Sequence, residues 1–326
     1  MTLTVINAEL TRQLLPMAEC IDAMALAMEA ASAGKVFIPP RSTVPLTDGS
    51  GVFVLMPGTC KDINCYGAKI ISAHALNPAR ALPLIQGFVT MFDHDTGAPI
   101  CIVEGAEITA IRTAAASGLA TRLLARENVS TCGILGAGVQ ARTHIDAMCA
   151  VRPVKEIIVW GRDFAKTQLF AEQQSERIGR EVVATRDAAE ASACDLVCTV
   201  TGSAEPVIRG EWVQKGAHIN LAGAHNLATR EADTALIVKS AIYIDLMESL
   251  MNEGGDIMTP IEEGAITQDH IIGEIGNLIM GKIPGRVNDE QITIYNSLGM
   301  TAQDLFAARH VYQSAQSQGL GVNIDF

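Results

Sequence analysis

The sequence predicts an α/β protein that combines a doubly wound parallel sheet with a smaller α+β domain. The first indication is the alternation of apolar, strand-like runs with helical segments from about residue 131 onward, which is typical of βαβ units. The second is the N-terminal part, where short β-rich runs are separated by turns that contain Pro, Gly or Asp. These two patterns predict two structural parts in one chain.

The N-terminal part contains two helical patterns and one hairpin pattern. Residues 9–33 have apolar positions at helical spacing, which predicts helix ending near Gly34. The turn sequence DHDTG at 93–97 lies between two apolar runs and predicts a hairpin. The Ala-rich segment TAIRTAAASGLATRLLA at 109–125 predicts a helix, because Ala is the best helix former.

The last helix determines the domain boundaries. LGMTAQDLFAARHVYQSAQSQGLG at 298–321 has the pattern of one amphipathic helix, and we expect it to pack against the N-terminal part. We therefore predict a split domain made of residues 1–113 and 300–326. The parallel-sheet domain is then made of residues 114–299.

Composition and charge restrict the class of protein. The chain has 326 residues, of which 48% are apolar and 18% charged, and this indicates a globular protein. A formal net charge of −12 argues against nucleic acid or an anionic membrane as a partner, because both require a basic surface. We expect a cytoplasmic protein, since there is no basic signal segment and no run of about 18 apolar residues. The eight cysteines lack zinc-type spacing, so we expect them reduced, and we expect no metal.

A glycine motif predicts a dinucleotide site. In CGILGAGVQARTHIDAM (132–148) the motif GxGxxA follows an apolar strand directly and opens a helix. The first glycine makes the tight turn, the second lets the backbone approach a pyrophosphate, and the helix N-terminus stabilises the anion. A Gly-rich turn without a ligand is the alternative, which this context disfavours. The predicted contacts of this Rossmann-type domain are Gly136, Ala137, Gly138, Val139 and Gln140.

The end of the second strand of this domain favours NADP(H). NAD sites usually place Asp or Glu there to bind the ribose 2′-hydroxyl, whereas EIIVWGRDFAK has Gly161 and Arg162. Arg162 is able to pair with a 2′-phosphate. Two alternatives stay open: Arg162 is an ordinary surface residue, or the adjacent Asp163 contacts the ribose.

Lys69 stands in CYGAKIISAHALN (65–77), an apolar run with the pattern of a buried strand. Lysine is almost never fully buried without a partner, because removing an ammonium from water is costly. Either its head extends to solvent along the sheet, or it binds a negatively charged partner. The local sequence leaves both possibilities open.

Four segments together resemble the ornithine cyclodeaminase/μ-crystallin family. The segments read GAKIISAHALNP, LPLIQGFVTMFDHDTGAPICIVEGAEITAIRTAAASGLAT, GILGAGVQARTH and GRVNDEQITIYNSLGMTAQDLFAA. The likeness covers nearly the whole chain in order and is far more specific than the glycine motif alone. The resemblance implies a split substrate-binding and dimerisation domain, an inserted Rossmann domain and a homodimer.

The resemblance also implies a substrate site. The family's groups for a substrate carboxylate match Arg41, Lys69 and Arg112. A guanidinium matches a carboxylate bidentately, and an α-imino or α-amino acid supplies the negative charge that a buried cation needs. We add Thr113, Thr201 and Ser297 to the predicted cofactor contacts.

One departure from the family pattern concerns the loop NLAGAHNLATREAD. Cyclodeaminases and the alanine dehydrogenase of the family have Asp two residues after a Gly, and this sequence has His225 there. A carboxylate binds the ammonium of a diamino acid, whereas an imidazole suits proton exchange near neutral pH. His225 therefore favours a reductase, with Lys69 as the second candidate catalytic residue; the alternative is a loop histidine that faces solvent.

We accordingly predict an NAD(P)H-dependent reductase of cyclic α-imino acids, with NADP(H) preferred and NAD(H) possible. It would convert Δ1-pyrroline-2-carboxylate to L-proline, Δ1-piperideine-2-carboxylate to L-pipecolate, or both. Three alternatives stay open. They are an ornithine cyclodeaminase, an L-alanine or other amino-acid dehydrogenase, and a non-catalytic NADP-dependent protein that binds a small ligand.

Overall fold

The computed structural model describes residues 2–325, and these residues form two compact units. Unit 1 runs from the N-terminus to Arg112 and resumes at Met300. Unit 2 comprises Thr113–Gly299. Within residues 2–325, no helix has both the length and the apolar character that crossing a membrane requires.

Unit 1 is built on one eight-stranded sheet with the order β16-β1-β7-β6-β5-β4-β2, in which β3 pairs with β4. Its strands are β1 Thr2–Ile6, β2 Val36–Phe37, β3 Ser42–Pro45, β4 Val52–Cys60, β5 Cys65–Ala73, β6 Ile85–Asp93, β7 Pro99–Glu104 and β16 Val322–Asp325. Its helices are α1 Ala8–Leu14, α2 Met17–Ser32 and α11 Thr301–Gln318, and α3 Gly105–Leu124 begins in this unit. The predicted hairpin at DHDTG is confirmed by the antiparallel pairing of β6 with β7.

The N-terminal helical pattern corresponds to two helices rather than one. α1 ends at Leu14, and α2 starts at Met17. Pro16 causes the break, because the residue before a proline is disfavoured in the α conformation, and Leu15 has φ −127° and ψ 67°.

The C-terminal helix α11 packs on α2 and on β4, β5 and β6. Its first eight residues, 301–308, are buried on all sides, so that only its second half has the predicted amphipathic character. Two polar residues of the buried half, Gln303 and Asp304, have charged partners within unit 1.

Unit 2 contains an eight-stranded sheet in which every pairing is parallel, with the order β10-β9-β8-β11-β12-β15-β13-β14. Its strands are β8 Thr131–Leu135, β9 Glu156–Trp160, β10 Val182–Thr185, β11 Leu196–Thr199, β12 His218–Leu221, β13 Ser240–Ile244, β14 Ile271–Glu274 and β15 Ile292–Asn296. Its helices are α4 Val139–Val151, α5 Phe164–Ile178, α6 Ala188–Ser192, α7 Thr234–Val238, α8 Met247–Glu253, α9 Gly255–Glu262 and α10 Ile275–Ile279.

The sheet of unit 2 has the strand order of a doubly wound fold. From β8 the chain proceeds outward to β9 and β10, and it then returns to β11 on the other side of β8. The order therefore reverses between β8 and β11. In such sheets ligands bind at the carboxyl ends of the strands near this reversal. The predicted fold class is confirmed.

Candidate active site

The residues of unit 1 that were predicted to bind a substrate carboxylate include one member of a buried ion pair. Lys69 is only 2% exposed, and its Nζ lies 3.0 Å from Oδ1 and 2.9 Å from Oδ2 of Asp304, which is fully buried. Lys69 lies in β5 directly opposite Met56 of β4 and Val89 of β6, so its side chain shares the inner face of the sheet with these two buried residues. Lys69 thus lies in a strand, as predicted, and its head is bound internally, but the strand as a whole is only half-buried: Cys65 is the other fully buried residue of β5.

Arg112 binds the same carboxylate. Its Nε donates to Asp304 Oδ1 at 2.9 Å, and its Nη1 donates to Gln303 Oε1 at 2.8 Å. Arg112 is 5% exposed. Helix α3 supplies Arg112 and helix α11 supplies both acceptors, so secondary-structure elements rather than loops hold the cluster.

The charges of this cluster do not balance. Burial lowers the pKa of Lys69 to about 8, although the nearby Asp304 carboxylate opposes this shift, so the ammonium is retained at neutral pH. Arg112 and the half-buried Arg41, which precedes β3, add to the positive field that acts on Lys69. Lys69 and Arg112 thus share one carboxylate, and a buried excess of positive charge favours an anionic ligand.

The glycine loop of unit 2 has the backbone that a dinucleotide requires. Gly136 has φ +129°, and a Cβ there would lie 2.8 Å from the carbonyl oxygen of Val200. A Cβ on Gly138 would meet no atom within 4 Å, so the space beside the loop is open. α4 begins at Val139, and its N-cap Gly138 has no side chain to occupy the N–H groups of the first turn. N–H groups of this kind at a helix N-terminus are able to bind an anion such as a pyrophosphate.

Two buried polar atoms near the strand ends also fit a bound cofactor. Gln140 Oε1 and Ser297 Oγ are buried without a hydrogen-bond partner among residues 2–325. Buried polar atoms are normally paired, so each is suited to a ligand group. Ser297 follows β15, and Gln140 lies in the first turn of α4. Thr113 is buried in α3, at 8% exposure.

The structure after β9 explains why position 161 has no acidic side chain for the ribose and what Asp163 does instead. A Cβ on Gly161 would lie 2.4 Å from Thr167 Oγ1, so a side chain has no room there. Asp163 is the N-cap of α5, and its carboxylate accepts a hydrogen bond from the Lys166 backbone N–H at 3.2 Å. Arg162 is exposed. The Asp163 carboxylate is thus engaged by its own helix, which leaves Arg162 as the exposed charged residue directly after Gly161.

Thr201 and His225 follow the neighbouring strands β11 and β12. Thr201 is half-buried and donates its backbone N–H and its hydroxyl to Glu231. His225 is exposed, and its Nδ1 lies 3.0 Å from the carbonyl oxygen of Gly223. Because a carbonyl oxygen only accepts, this hydrogen bond requires the proton on Nδ1 and leaves Nε2 to exchange a proton with a ligand.

The structure thus groups the predicted residues into two sets. Lys69 and Arg112 converge on Asp304 in unit 1, within the electrostatic range of Arg41. The glycine loop, Arg162, Thr201, His225 and Ser297 all follow the carboxyl ends of strands in one parallel sheet. Within that sheet, β9, which precedes Arg162, is three strands away from β12, which precedes His225.

Two acidic residues were not predicted. Asp304 lies in the apolar half of the last helix, and a lone carboxylate there signals a buried cation as its partner. Glu231 lies in the loop after β12, where no local pattern distinguishes it from a surface residue. Both residues are fully buried.

Comparison with known proteins gives consistent matches over the whole chain. Residues 2–319 match the family model described as "Ornithine cyclodeaminase/mu-crystallin family". The Delta(1)-pyrroline-2-carboxylate reductase of Bacillus cereus is 34% identical over 324 residues, which cover 99% of this chain and 99% of that protein.

Two solved structures have nearly the same backbone. The Thermococcus litoralis Delta(1)-pyrroline-2-carboxylate reductase in complex with NADH and L-proline has a TM-score of 0.95 and 34% identity, over 98% of this chain and 100% of that one. An archaeal alanine dehydrogenase dimer with bound NAD has a TM-score of 0.93 and 31% identity, and the match covers 100% of both chains.

Proposed function

This chain belongs to the ornithine cyclodeaminase/mu-crystallin family, as its motifs predict, and we propose that it is an NAD(P)H-dependent reductase of cyclic α-imino acids. Its substrate is Δ1-pyrroline-2-carboxylate, Δ1-piperideine-2-carboxylate or both, and its product is L-proline or L-pipecolate. The observation that carries the proposal is the unbalanced buried charge of Lys69 and Arg112 on one Asp304 carboxylate. The proline bound to the Thermococcus litoralis reductase is a carboxylate ligand of the expected kind.

In this proposal the cationic cluster of unit 1 binds the substrate carboxylate. Arg112 donates hydrogen bonds from Nε and Nη1 to side chains of α11, and the Lys69 ammonium contacts both oxygens of Asp304. The arriving carboxylate supplies the second negative charge and so balances the two buried cations, Lys69 and Arg112. Arg41, which is only half-buried, supplies a third cation. Binding of the anion stabilises the ammonium form of Lys69.

The cofactor would be held by the carboxyl ends of the strands in unit 2. Gly136–Gln140 would bind the pyrophosphate, and Thr201, Ser297 and Thr113 would contact the rest of the cofactor. The reduced nicotinamide, when bound, supplies the hydride for the imine carbon. Arg162 favours NADPH, because a guanidinium pairs with a 2′-phosphate and no carboxylate competes for the ribose. NADH remains a possible second cofactor.

His225 supplies the proton in this proposal. Protonation of the imine nitrogen increases the electrophilicity of the adjacent carbon, and an imidazole is suited to this step near neutral pH. The hydrogen bond to the Gly223 carbonyl orients the ring and keeps Nδ1 protonated, so that Nε2 is the atom that exchanges the proton. Lys69 is the alternative acid, because burial lowers its pKa to about 8.

The identity of residue 225 argues against ornithine cyclisation. A cyclodeaminase holds a substrate with two amino groups, and a carboxylate stabilises its ammonium; His225 offers no such charge. An alanine dehydrogenase is a second candidate, because the archaeal dimer has this backbone and 31% identity. A non-catalytic ligand-binding role would use the same cationic cluster without turnover.

We also propose a homodimer formed through unit 1. The face of its sheet opposite Lys69 has three exposed apolar side chains, Val44, Phe53 and Phe88, with exposures of 51%, 40% and 36%. Half-buried Leu55 and Ile70 lie on the same face, which we call the outer face. A contiguous apolar sheet face of this kind is typical of an interface.

A substrate panel tests the proposed reaction. Purified protein is assayed by nicotinamide absorbance. Δ1-Pyrroline-2-carboxylate, Δ1-piperideine-2-carboxylate and pyruvate plus ammonia are each tested with NADPH and with NADH. Ornithine is tested with NAD⁺ and with NADP⁺, and ammonia release is measured. We expect NADPH oxidation with one or both imines and no ammonia release from ornithine. Ammonia release from ornithine without imine reduction would contradict the proposal, and turnover only with pyruvate plus ammonia would favour the dehydrogenase.

A further inference from the structure

We propose that Glu231 is a positioning residue for the chemistry of unit 2, because its buried carboxylate fixes the loop of Thr201 and the loop of His225 at the same time. The inference rests on the proposed function, in which His225 supplies a proton. Neither the glycine motif nor the family resemblance indicated a role for Glu231.

The carboxylate of Glu231 has four short hydrogen bonds. Oε1 accepts from the backbone N–H and the hydroxyl of Thr201, both at 2.6 Å. Oε2 accepts from the Thr199 hydroxyl at 2.6 Å and from the Gly223 backbone N–H at 2.7 Å. One fully buried side chain therefore connects the end of β11 with the loop after β12.

The backbone of Glu231 is itself immobilised. Its N–H donates to Asp256 Oδ1 at 2.7 Å, and its carbonyl oxygen accepts from the N–H groups of Val207 and Ile208 at 2.7 and 3.0 Å. Because the backbone of Glu231 is fixed, its carboxylate is fixed as well, and so are the groups that donate to it. Such secondary contacts are what keep a functional group in its productive geometry.

Gly223 connects Glu231 to His225. Its N–H donates to Glu231, and its carbonyl oxygen accepts from His225 Nδ1. A Cβ on Gly223 would lie 2.2 Å from the Thr201 carbonyl oxygen and 2.5 Å from Glu231 Oε1, so only glycine fits in this contact. A shift of Gly223 therefore changes the hydrogen bond that selects the tautomer of His225.

The same strand offers a matched control at its other end. Asp195 precedes β11, and its Oδ2 accepts from the backbone N–H groups of Ser130 and Thr131 at 2.9 and 3.2 Å and from the Thr131 hydroxyl at 3.1 Å. These hydrogen bonds are of the same types as those of Glu231, and Asp195 Oδ1 additionally pairs with Arg126 Nη2 at 2.8 Å. Asp195, however, lies at the amino ends of β8 and β11, away from the edge where ligands bind.

The test compares Glu231→Gln with Asp195→Asn. A glutamine has one acceptor oxygen and one NH₂ group, so in either orientation one backbone N–H, of Thr201 or of Gly223, faces a donor. ¹⁵N-histidine NMR of the cofactor-free protein reports the tautomer of His225, with the resonance assigned by its loss in His225→Ala. Activity with the imine and NADPH over a range of pH, and NADPH binding by fluorescence, are measured for both variants and for Glu231→Gln/His225→Ala.

We expect Glu231→Gln to mix the His225 tautomers and to lower kcat on the order of 10- to 100-fold. At saturating NADPH the same substitution should have little further effect on kcat in the His225→Ala background, whereas weaker NADPH binding through the displaced Thr201 loop should persist there. Asp195→Asn should lower the Tm and leave the His225 spectrum and the pH profile unchanged. An unchanged His225 resonance in Glu231→Gln, or losses of kcat at saturating NADPH that multiply in the double variant, would overturn the inference.

A second variant covers the case in which Glu231→Gln does not fold. Thr199→Val removes one donor to Oε2 and preserves the shape of the side chain, so a smaller shift of the same His225 resonance is expected, and its absence counts against the inference. The NMR measurement needs no turnover. It therefore tests the role of Glu231 separately from the proposed reductase function. A wild-type protein without imine reductase activity would refute the proposed function, while the spectra would still decide whether Glu231 controls His225.

Discussion

Lys69 of β5 and Asp304 of α11 form a buried ion pair in which the ammonium lies 2.9–3.0 Å from both carboxylate oxygens. Asp304 accepts from Arg112 as well, so it is the common anchor of the two buried cations. A charged group inside a protein is costly unless it is paired, and breaking such a pair leaves the remaining charge unsatisfied. Asp304 is therefore needed to keep Lys69 and Arg112 in place before any substrate binds.

Asp304→Asn should destabilise the protein strongly. The substitution preserves shape but leaves Lys69 and Arg112 without a counter-charge, and we expect the free energy of unfolding to fall by about 3–5 kcal/mol. Urea denaturation measures this change.

Glu19→Gln is the matched control for Asp304→Asn. It breaks the partly exposed pair between Glu19 and His310, where the Nε2–Oε2 distance is 2.9 Å and Glu19 is 57% exposed. Exposed pairs contribute little, so a loss below about 1 kcal/mol is expected. Equal losses in the two variants would mean that the buried pair contributes no more than a surface contact.

The position of Lys69 was predictable and its partner was not. The apolar run around Lys69 indicates a buried strand, and the cost of burying an ammonium indicates a negatively charged partner. That partner is 235 residues away in the chain, and its position is set by the packing of α11 on the sheet. Local periodicity contains no information about such a contact.

The region after β9 shows a different limit of sequence analysis. The sequence left open whether Arg162 or Asp163 faces the ribose. In the structure Asp163 is the N-cap of α5, a position that favours Asp because its carboxylate accepts a backbone N–H of the first turn. The capping pattern was present in DFAK and was sufficient to identify this role. Glu231, in contrast, depends on four donors from two segments that are separated from each other by more than 20 residues, and no sequence pattern reports such a network.

Arg162→Ala should weaken the binding of NADPH selectively. Loss of a charge-assisted hydrogen bond to the 2′-phosphate should raise the KM for NADPH about tenfold or more, with the KM for NADH nearly unchanged. Steady-state kinetics with both cofactors measures the effect. Lys166→Ala, which removes an exposed cation from the next helix, serves as the control and should leave both constants unchanged. A wild-type protein that uses NADH better than NADPH would assign the ribose contact to another residue.

Lys69 should impose an alkaline limit on substrate binding. Burial lowers its pKa to about 8, so the ammonium is present below this pH and is lost above it. Because the ammonium binds the substrate carboxylate, kcat/KM should decrease as the pH rises through about 8. Lys69→Arg retains a charge at higher pH and should move this limb upward, although its different shape lowers the maximum.

His225→Ala tests whether the alkaline limb depends on Lys69. If Lys69 is responsible for the alkaline limb, that limb persists in His225→Ala at lower overall activity. A flat profile in His225→Ala would assign the limb to the imidazole.

Phe88→Asp should prevent dimerisation. Phe88 lies on the outer face of β6, opposite half-buried Ile70, and a charge there opposes burial of that face. Size-exclusion chromatography with light scattering should give a dimer for the wild type and a monomer for the variant. Leu169→Asp is the control, because Leu169 is a similarly exposed apolar residue, at 55%, in α5 of unit 2. A dimer in both variants would place the interface elsewhere.

Asp256 should make the stability of the protein decrease between about pH 4 and pH 7. Burial, reinforced by the charge of Glu231, raises the pKa of Asp256 from 3.8 to about 7. A carboxyl group whose pKa is higher in the folded state stabilises that state fully below its unfolded pKa, and this contribution is lost as the pH rises through the folded value.

Asp256 Oδ1 accepts from the N–H groups of Glu231 and Ala232, and an asparagine oxygen is able to accept the same bonds. Asp256→Asn should therefore fold and should flatten the dependence of the free energy of unfolding on pH in this window. Urea denaturation at about pH 4.5, 5.5 and 6.5 measures the difference, and parallel curves for the two proteins would contradict the raised pKa.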